Sequence, residues 1–389
     1  VKKHLLALTV SSMLAGAAYG QSSVTLYGII DEGFNYTSNA GGGRLFSLSS
    51  GDVAGSRWGL KGNEDLGGGL AAVFQLENGF NVNNGKLGPE NQLFGRQAYV
   101  GISSTTFGTV TFGRQYDSLV DYLAPLTANG NWGGAMFSHP YDNDNTDNTF
   151  RINNAVKYAS ANYGGLTFGG AYAFSNSTSF ATNRAMSVGL QYSLGGLTAA
   201  AAYLNVDAPN NGAAGAVADL GTAGADGAFT ADRQRVFGAG INYVLASTTF
   251  GFVYTHTSLS RPTASLYASL MPSPTLGAAS SVKFDNFEVN AKYQFTPAFF
   301  VGGMYTFTEA TYNGDSKGSA KPKYHQFGLM ADYNVSKRTD LYAQGAFIKV
   351  ANASGVAGTG FEFASNPDIA SPSSNSRQLV LRVGVRHQF

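Results

Sequence analysis

The clearest pattern in the chain is a two-residue alternation. Phe287, Val289, Ala291, Tyr293 and Phe295 alternate with Glu288, Asn290, Lys292 and Gln294. Met186, Val188, Leu190, Tyr192 and Leu194 alternate with Ser187, Gly189, Gln191 and Ser193. Near the end, Leu379, Leu381, Val383, Val385 and Phe389 alternate with Gln378, Arg382, Gly384, Arg386 and Gln388. Period two over eight or more residues predicts extended strands with one apolar face. From Ser22 onward the rhythm is strand, short turn, strand, long loop. Sixteen strands fit between Val24 and Phe389, an even number that allows closure. The stretch Phe94–Thr111 alternates poorly.

The connections sort by length. Short ones fall at Asp65–Gly69, Ser104–Gly108, Gly195-Gly196, Thr296–Ala298 and Ser336–Arg338; long ones fall at Thr37–Val53, Asp207–Asp232, Ser260–Ser281 and Ala351–Asn375. One connection stands apart. Ser118–Phe150 shows no alternation, yet Leu119, Tyr122, Leu123, Pro125, Leu126, Trp132, Met136 and Phe137 give it something to pack with. A loop far beyond about 12–15 residues is usually functional or disordered, and disorder would need poorer apolar content. The expectation is a loop folded into a hollow that the strands enclose.

Two all-β architectures could produce alternating strands. In a soluble sandwich or solenoid the apolar faces meet in a dry core. In a transmembrane barrel they face lipid, and aromatic girdles mark both interfaces. Tyr158, Tyr192, Tyr243, Tyr293, Phe295, Tyr333 and Phe389 cluster at strand ends, and loop length segregates by parity. Both observations favour the barrel, with strands of about 9–11 residues crossing at a tilt.

Composition agrees. Glycine reaches 50 residues, Phe 27 and Tyr 21, while Cys is absent. No later window holds about 18 consecutive apolar residues, so no helical span is expected. Residues 1–20 read as an export signal: Lys2 and Lys3, a short apolar run, then Ala18-Tyr19-Gly20 before Gln21. Without the two lysines the net charge of +1 becomes about −1, giving no field that suggests nucleic acid. The barrel is then expected to occupy residues 21–389.

Several segments carry a family resemblance. They are Gln21-Ser22-Ser23-Val24-Thr25-Leu26-Tyr27-Gly28, Ser56-Arg57-Trp58-Gly59-Leu60-Lys61-Gly62-Asn63-Glu64-Asp65-Leu66-Gly67-Gly68-Gly69 and Phe112-Gly113-Arg114. Asn154-Ala155-Val156-Lys157-Tyr158 and Val383-Gly384-Val385-Arg386-His387-Gln388-Phe389 complete the set. Together they resemble the trimeric general-diffusion porins of Gram-negative outer membranes. The resemblance implies an all-β, 16-stranded antiparallel transmembrane β-barrel, a homotrimer, and a third long loop folded into the lumen, the position that Ser118–Phe150 occupies. It also implies passive diffusion of small hydrophilic solutes and ions, with no cofactor or metal.

Three arginines are the main site candidates. Arg57 shares a strand face with Lys61, Arg151 shares one with Asn153, Ala155 and Lys157, and Arg96 begins a strand. A lipid-facing Arg at mid-membrane costs about 2–4 kcal/mol, so these side chains are expected in the lumen. The resemblance implies that matching arginines form a basic wall facing the inward loop, which makes weak to moderate anion selectivity the expectation. The bland alternative is a rim arginine that binds lipopolysaccharide phosphate. Asp117 and Asp121, at the start of the loop, are the candidate carboxylates opposite; Asp31 and Glu77 face the lumen by alternation. Arg114 breaks pattern by sharing a face with Val110 and Phe112.

The acidic run Asp142-Asn143-Asp144-Asn145-Thr146-Asp147 lacks the Gly and Glu of a calcium-binding EF-hand loop and reads as a solvated loop. The histidines offer no Ser or Asp partner set for nucleophilic catalysis, so no enzyme is expected. An adhesin or receptor barrel, acting through its outer loops, and a substrate-specific porin are the competing functions. Phe389 is expected to act as the aromatic assembly signal read by the outer-membrane insertion machinery, an expectation that also comes from the resemblance.

Overall fold

The alternation folds inside out relative to a soluble protein. Val289 is 51% exposed while its neighbour Glu288 is 0% exposed, because the apolar face meets lipid and the polar face meets the interior. The computed structural model describes residues 23–88, 92–209, 215–218, 229–265, 267, 279–314, 318–369 and 371–389. The expected leader and much of the long connections 207–232 and 260–281 lie outside the described residues.

Strand β1 is Ser23–Ala40, and β2 runs in two collinear pieces, Gly43–Ser50 and Arg57–Gly67. Next come β3 Leu70–Phe80, β4 Gln97–Ser104, β5 Gly108–Gln115, β6 Ile152–Ala159 and β7 Leu166–Ala173. Then follow β8 Arg184–Leu194, β9 Leu197–Asp207, β10 Arg233–Leu245, β11 Thr248–Ser260 and β12 Ala279–Thr296. The last four are β13 Phe299–Gly314, β14 Lys323–Asn334, β15 Thr339–Ala351 and β16 Arg377–Gln388. Each pairs antiparallel with its neighbours in sequence, and β1 pairs with β16 from Ile29↔Gln388 to Thr37↔Val380. The described strands therefore form a closed 16-stranded antiparallel barrel. Closure removes the edges that would otherwise template aggregation or face lipid unpaired.

The seam is finished by Phe389, which exchanges backbone hydrogen bonds with Gly28 at 3.1 Å in both directions. Its ring lies over Gly28. A Cβ there would overlap the ring edge and stand 2.7 Å from the Arg57 carbonyl oxygen. Gly28→Val is therefore expected to displace Phe389 and lower the yield of folded barrel, read as the heat-modifiable band on a gel. An unchanged yield would show that the seam tolerates a side chain at this position.

Three elements differ from the alternation-based expectation. Thr37–Val53 is not a simple loop: β1 continues to Ala40, turns at Gly41-Gly42, and returns along Gly43–Ser50. The true interruption, residues 51–56, sits inside β2. In β6, strict alternation sends Ile152 to the lipid, yet it is 2% exposed and packs with Leu119 and Ala155. The pairing Gly113↔Ala155 followed by Gln115↔Ile152 gives β6 one extra residue there, and Asn154 takes a φ of +54°. Such a bulge reverses the parity of everything beyond it. Finally, Asp142 and Asp144 are 0% exposed, so the acidic run is packed inside the molecule rather than solvated.

Packing concentrates in the lumen. Residues 116–151 turn inward through short helical turns at Leu119–Leu123, Ala124–Leu126, Asn129–Gly133, Ala135–Phe137 and Pro140–Asp142. Leu119, Leu123 and Leu126 pack against Leu204, Val236 and Val253 of the wall; Phe137 joins Met304 and Met330. Trp132 lies against Gly302 of β13, where an added Cβ would stand 2.7 Å from the indole. Residues 352–369 and 371–376 also fold inward. Phe361 is 1% exposed among Tyr141, Phe284, Tyr312 and Tyr324, and Asn366 donates to the Met136 carbonyl at 2.9 Å.

Candidate functional site

Arg57 enters from β2 just after its interruption, Arg96 from the residue before β4, and Arg151 from the residue before β6. All three border one open space, whose other wall is the inward loop at Gly130, Asp147 and Asn148. Arg96 donates to Glu77 at 2.8 Å through Nε and to the Tyr116 hydroxyl at 2.9 Å. Arg57 stands 4.0 Å from the same Glu77 carboxylate, which also accepts from Tyr27 at 2.9 Å. Arg151 donates to the Asn148 side chain at 2.6 Å and lies over the Tyr116 ring at 5.6 Å. Two of the three guanidinium groups thus share one wall carboxylate. The loop contributes Asp147, whose carboxyl burial pushes well above the usual range.

The other predicted residues sit elsewhere. Asp117 is fully buried at the base of the loop, where it accepts from the Leu119 backbone at 2.7 Å and from Asn145 at 2.7 Å. Burial, only partly offset by those hydrogen bonds, raises its pKa to about 6. It is a structural anchor, not a carboxylate facing the arginines. Asp121 pairs with Lys157 on the opposite side of the loop, in a separate space bordered by Tyr99 and Gln115. Lys61 lies 5.4 Å from the Tyr27 ring on the lumen side of β2. Arg114 is 8% exposed, bonded to the Gly95 carbonyl at 2.7 Å and Asn153 at 2.6 Å next to the bulge.

Asp31 belongs to a buried cluster that sequence reasoning does not assemble. Arg382 of β16 is 0% exposed as a side chain and pairs with Asp31 at 3.2 Å and Asp52 at 2.6 Å. Asp31 also accepts from the Val53 and Ala54 backbones at 2.9 and 2.8 Å, which fixes the interruption in β2. From there the Asp52 carbonyl accepts from Ala135 of the loop at 2.7 Å. Alternation places Arg382 on the inner face, but not its partners.

The far side of the loop is held by His139, which is 0% exposed. Its Nδ1 is 2.6 Å from Asp144 and its Nε2 is 3.1 Å from Glu288 of β12. Glu288 also accepts from the Ala128 backbone at 2.7 Å. Thr255 and Thr257 of β11 bond the loop at Asp144 and at the Asn143 carbonyl. The loop is therefore fastened at both ends of its crossing, beside β2 and against β11–β12, while a basic space stays open on one flank.

A barrel narrowed from within by a fastened loop is the geometry of a diffusion channel, and comparison with known proteins agrees. The profile of the Gram-negative porin family matches residues 7–353. This chain belongs to the Gram-negative porins. The porin is 32% identical to an outer membrane porin protein of Bordetella pertussis, with both chains covered completely. It is 31% identical to outer membrane porin protein 32 of Delftia acidovorans, again over 100% of each. A solved structure titled as an anion-selective porin from Comamonas acidovorans is similar at a TM-score of 0.71 and 25% identity, covering 95% of this chain and 100% of that one. The porin resides in the Gram-negative outer membrane and forms a water-filled passage for small hydrophilic solutes and ions.

Proposed function

We propose that this porin is a weakly to moderately anion-selective diffusion channel, with its selectivity set where Arg57, Arg96 and Arg151 face the inward loop. The observation that carries the reading is their convergence on one space: Arg57 and Arg96 share the wall carboxylate Glu77 behind them, and Asp52, which also borders the space, is already paired with Arg382. Similarity to the anion-selective porin from Comamonas acidovorans supports it. Asp117 serves the loop's anchorage and Asp121 a second, near-neutral contact with Lys157. No catalytic step is assigned to any of these residues.

In this reading residues 1–20 are the export signal, the functional unit is a homotrimer, and Phe389 in its seat over Gly28 is the assembly signal met by the insertion machinery. Salt-gradient recording in planar bilayers tests the proposal. The expected result is a reversal potential of anion-selective sign, with closure in three equal steps under high voltage. A cation-selective sign would overturn the selectivity assignment, and single-step closure would overturn the trimer.

A further inference from the structure

The outer surface carries a basic cluster that the channel does not use. At the loop end of β8, β9 and β10, Arg184, Asp207 and Arg233 stand directly opposite one another across the sheet. Their parity is that of Met186, Val188, Phe237 and Ile241, all of which are exposed on the lipid face. Arg184 and Arg233 each donate through Nε to Asp207 at 2.9 Å. On the next rung Arg235 donates to Asn205 at 3.3 Å. The three arginines border one shallow cleft with Tyr172 and Tyr203, and Arg184 lies 5.6 Å from the Phe180 ring.

The level of this cluster in the membrane is readable. From Arg184, β8 descends to Leu194 at the opposite end of the wall. Ten residues at about 3.3 Å each, tilted by about 40°, drop roughly 25 Å, the height of a barrel's apolar band. The arginines thus sit at the outer edge of that band, with Arg235 level with Tyr172 and all three above Tyr203, Phe237 and the apolar layer beneath. At that depth an arginine costs about 0–1 kcal/mol rather than the larger mid-membrane value. Arg184 and Arg233 side chains are 35% and 46% exposed, while Asp207 between them is 12% exposed. One shielded carboxylate orients two planar forks outward and, with Arg235 counted, leaves a local charge of about +2. Such forks match phosphate oxygens in pairs.

We propose that this cleft binds the phosphate of an outer-leaflet lipid headgroup, which in a Gram-negative outer membrane is lipopolysaccharide. Charge complementarity and membrane level both select this occupant, since a soluble anion would gain nothing from the aromatic and apolar surface directly beneath. Asp207 acts as a positioning residue for the two forks.

The test uses the folded porin in detergent, with native mass spectrometry or thermal shift reading the binding of diphosphorylated lipid A, its dephosphorylated form, and inorganic phosphate. Arg184→Gln with Arg235→Gln keeps the Arg233–Asp207 pair intact and is expected to weaken diphosphorylated lipid A at least tenfold, with unchanged conductance. Asp207→Asn keeps an oxygen that can accept from the forks but removes the charge that competes with phosphate, and is expected to tighten it. Equal affinity for lipid with and without phosphate, or an unchanged affinity in the double variant, would overturn the proposal. Inorganic phosphate displacing the lipid at equal concentration would overturn the lipid assignment in favour of a free-anion site. A loss of barrel stability in Asp207→Asn without tighter binding would reduce the cluster to a structural salt bridge and likewise overturn it.

Discussion

Arg57→Gln combined with Arg151→Gln is expected to bring the anion-to-cation permeability ratio close to one. The pair is chosen because Arg96 and Glu77, 2.8 Å apart, remain as a neutral unit and no buried charge is stranded. In the wild type three guanidinium groups border this space and two of them share Glu77; the variant removes two of those positive charges and leaves the Arg96–Glu77 pair. The magnitude is sufficient to decide permeation. A unit charge 4 Å from a passing ion is worth about 4 kcal/mol at an effective dielectric of 20, against about 1 kcal/mol in bulk water. Even after strong screening, the remainder outweighs charges more than about 8 Å away at physiological salt. Arg57→Glu removes the same two units of charge in one substitution and should match that shift, and adding Arg151→Gln to it should reverse the sign. The shift should be largest at low salt, in salt-gradient reversal potentials. Arg184→Gln with Arg235→Gln, which removes the same two charges from the outer wall, is the control and should leave the potential unchanged. Equal shifts from lumen and outer-wall substitutions would assign selectivity to the general surface field instead.

Much of this architecture is legible in the chain because lipid imposes a strict rule: every second residue of a spanning strand must be apolar. That rule yields the wall, places Arg57 and Glu77 inside, and distinguishes 118–150 as a loop with its own anchors. It fails where the backbone leaves the rule. A single extra residue near Asn154 turns Ile152 inward against its parity, and no apolar or polar pattern marks a bulge in advance. The interruption at 51–56 reads as part of a loop because polar Ser and Gly residues flank it, although the chain on both sides of it is paired with β1. The arginine wall is recoverable by alternation plus resemblance. Its loop-side neighbours are not, since Asp147 and Asn148 reach it only through the course of a loop. Asp117, Asp142 and Asp144 mislead most. Aspartates in a loop ordinarily mean solvent, and only a loop folded into a hollow can surround them with donors such as Asn145, Thr149 and Thr255.

His139→Ala is expected to loosen the inward loop more than any other single substitution within it. The imidazole is fully buried between Asp144 and Glu288. Burial alone works against its charge, but the two carboxylates outweigh it and raise the pKa to about 10. Asp144 is correspondingly held below the ordinary carboxylate range: its burial works the other way, and His139 overcomes it. Removing the cation leaves two carboxylates without their shared partner, with Asp142 adding further negative charge nearby. Breaking a buried pair from one side typically costs about 3–5 kcal/mol. That cost should fall on the loop, because the wall's own ladder is unaffected: thermal unfolding shifts modestly while open-channel current noise rises sharply. The pH dependence follows from the directions of the shifts. A raised histidine pKa contributes stability that is complete below about 6.5, declines above it, and is gone once pH passes about 10. The depressed Asp144 contributes above its ordinary value near 4 and is lost as pH falls below it. Asp117 and Asp142, raised by burial to about 6, work the other way and cost stability as pH rises from about 4 through 6, so wild-type channels should be quietest near pH 4, noisier toward pH 10, and noisier again in strong acid. His139→Ala should lack the alkaline limb of that profile and be noisy throughout. A quiet His139→Ala channel with the wild-type pH profile would show that Thr255, Thr257 and Asn290, the last donating to the Leu126 carbonyl at 3.1 Å, hold the loop without the charged clamp.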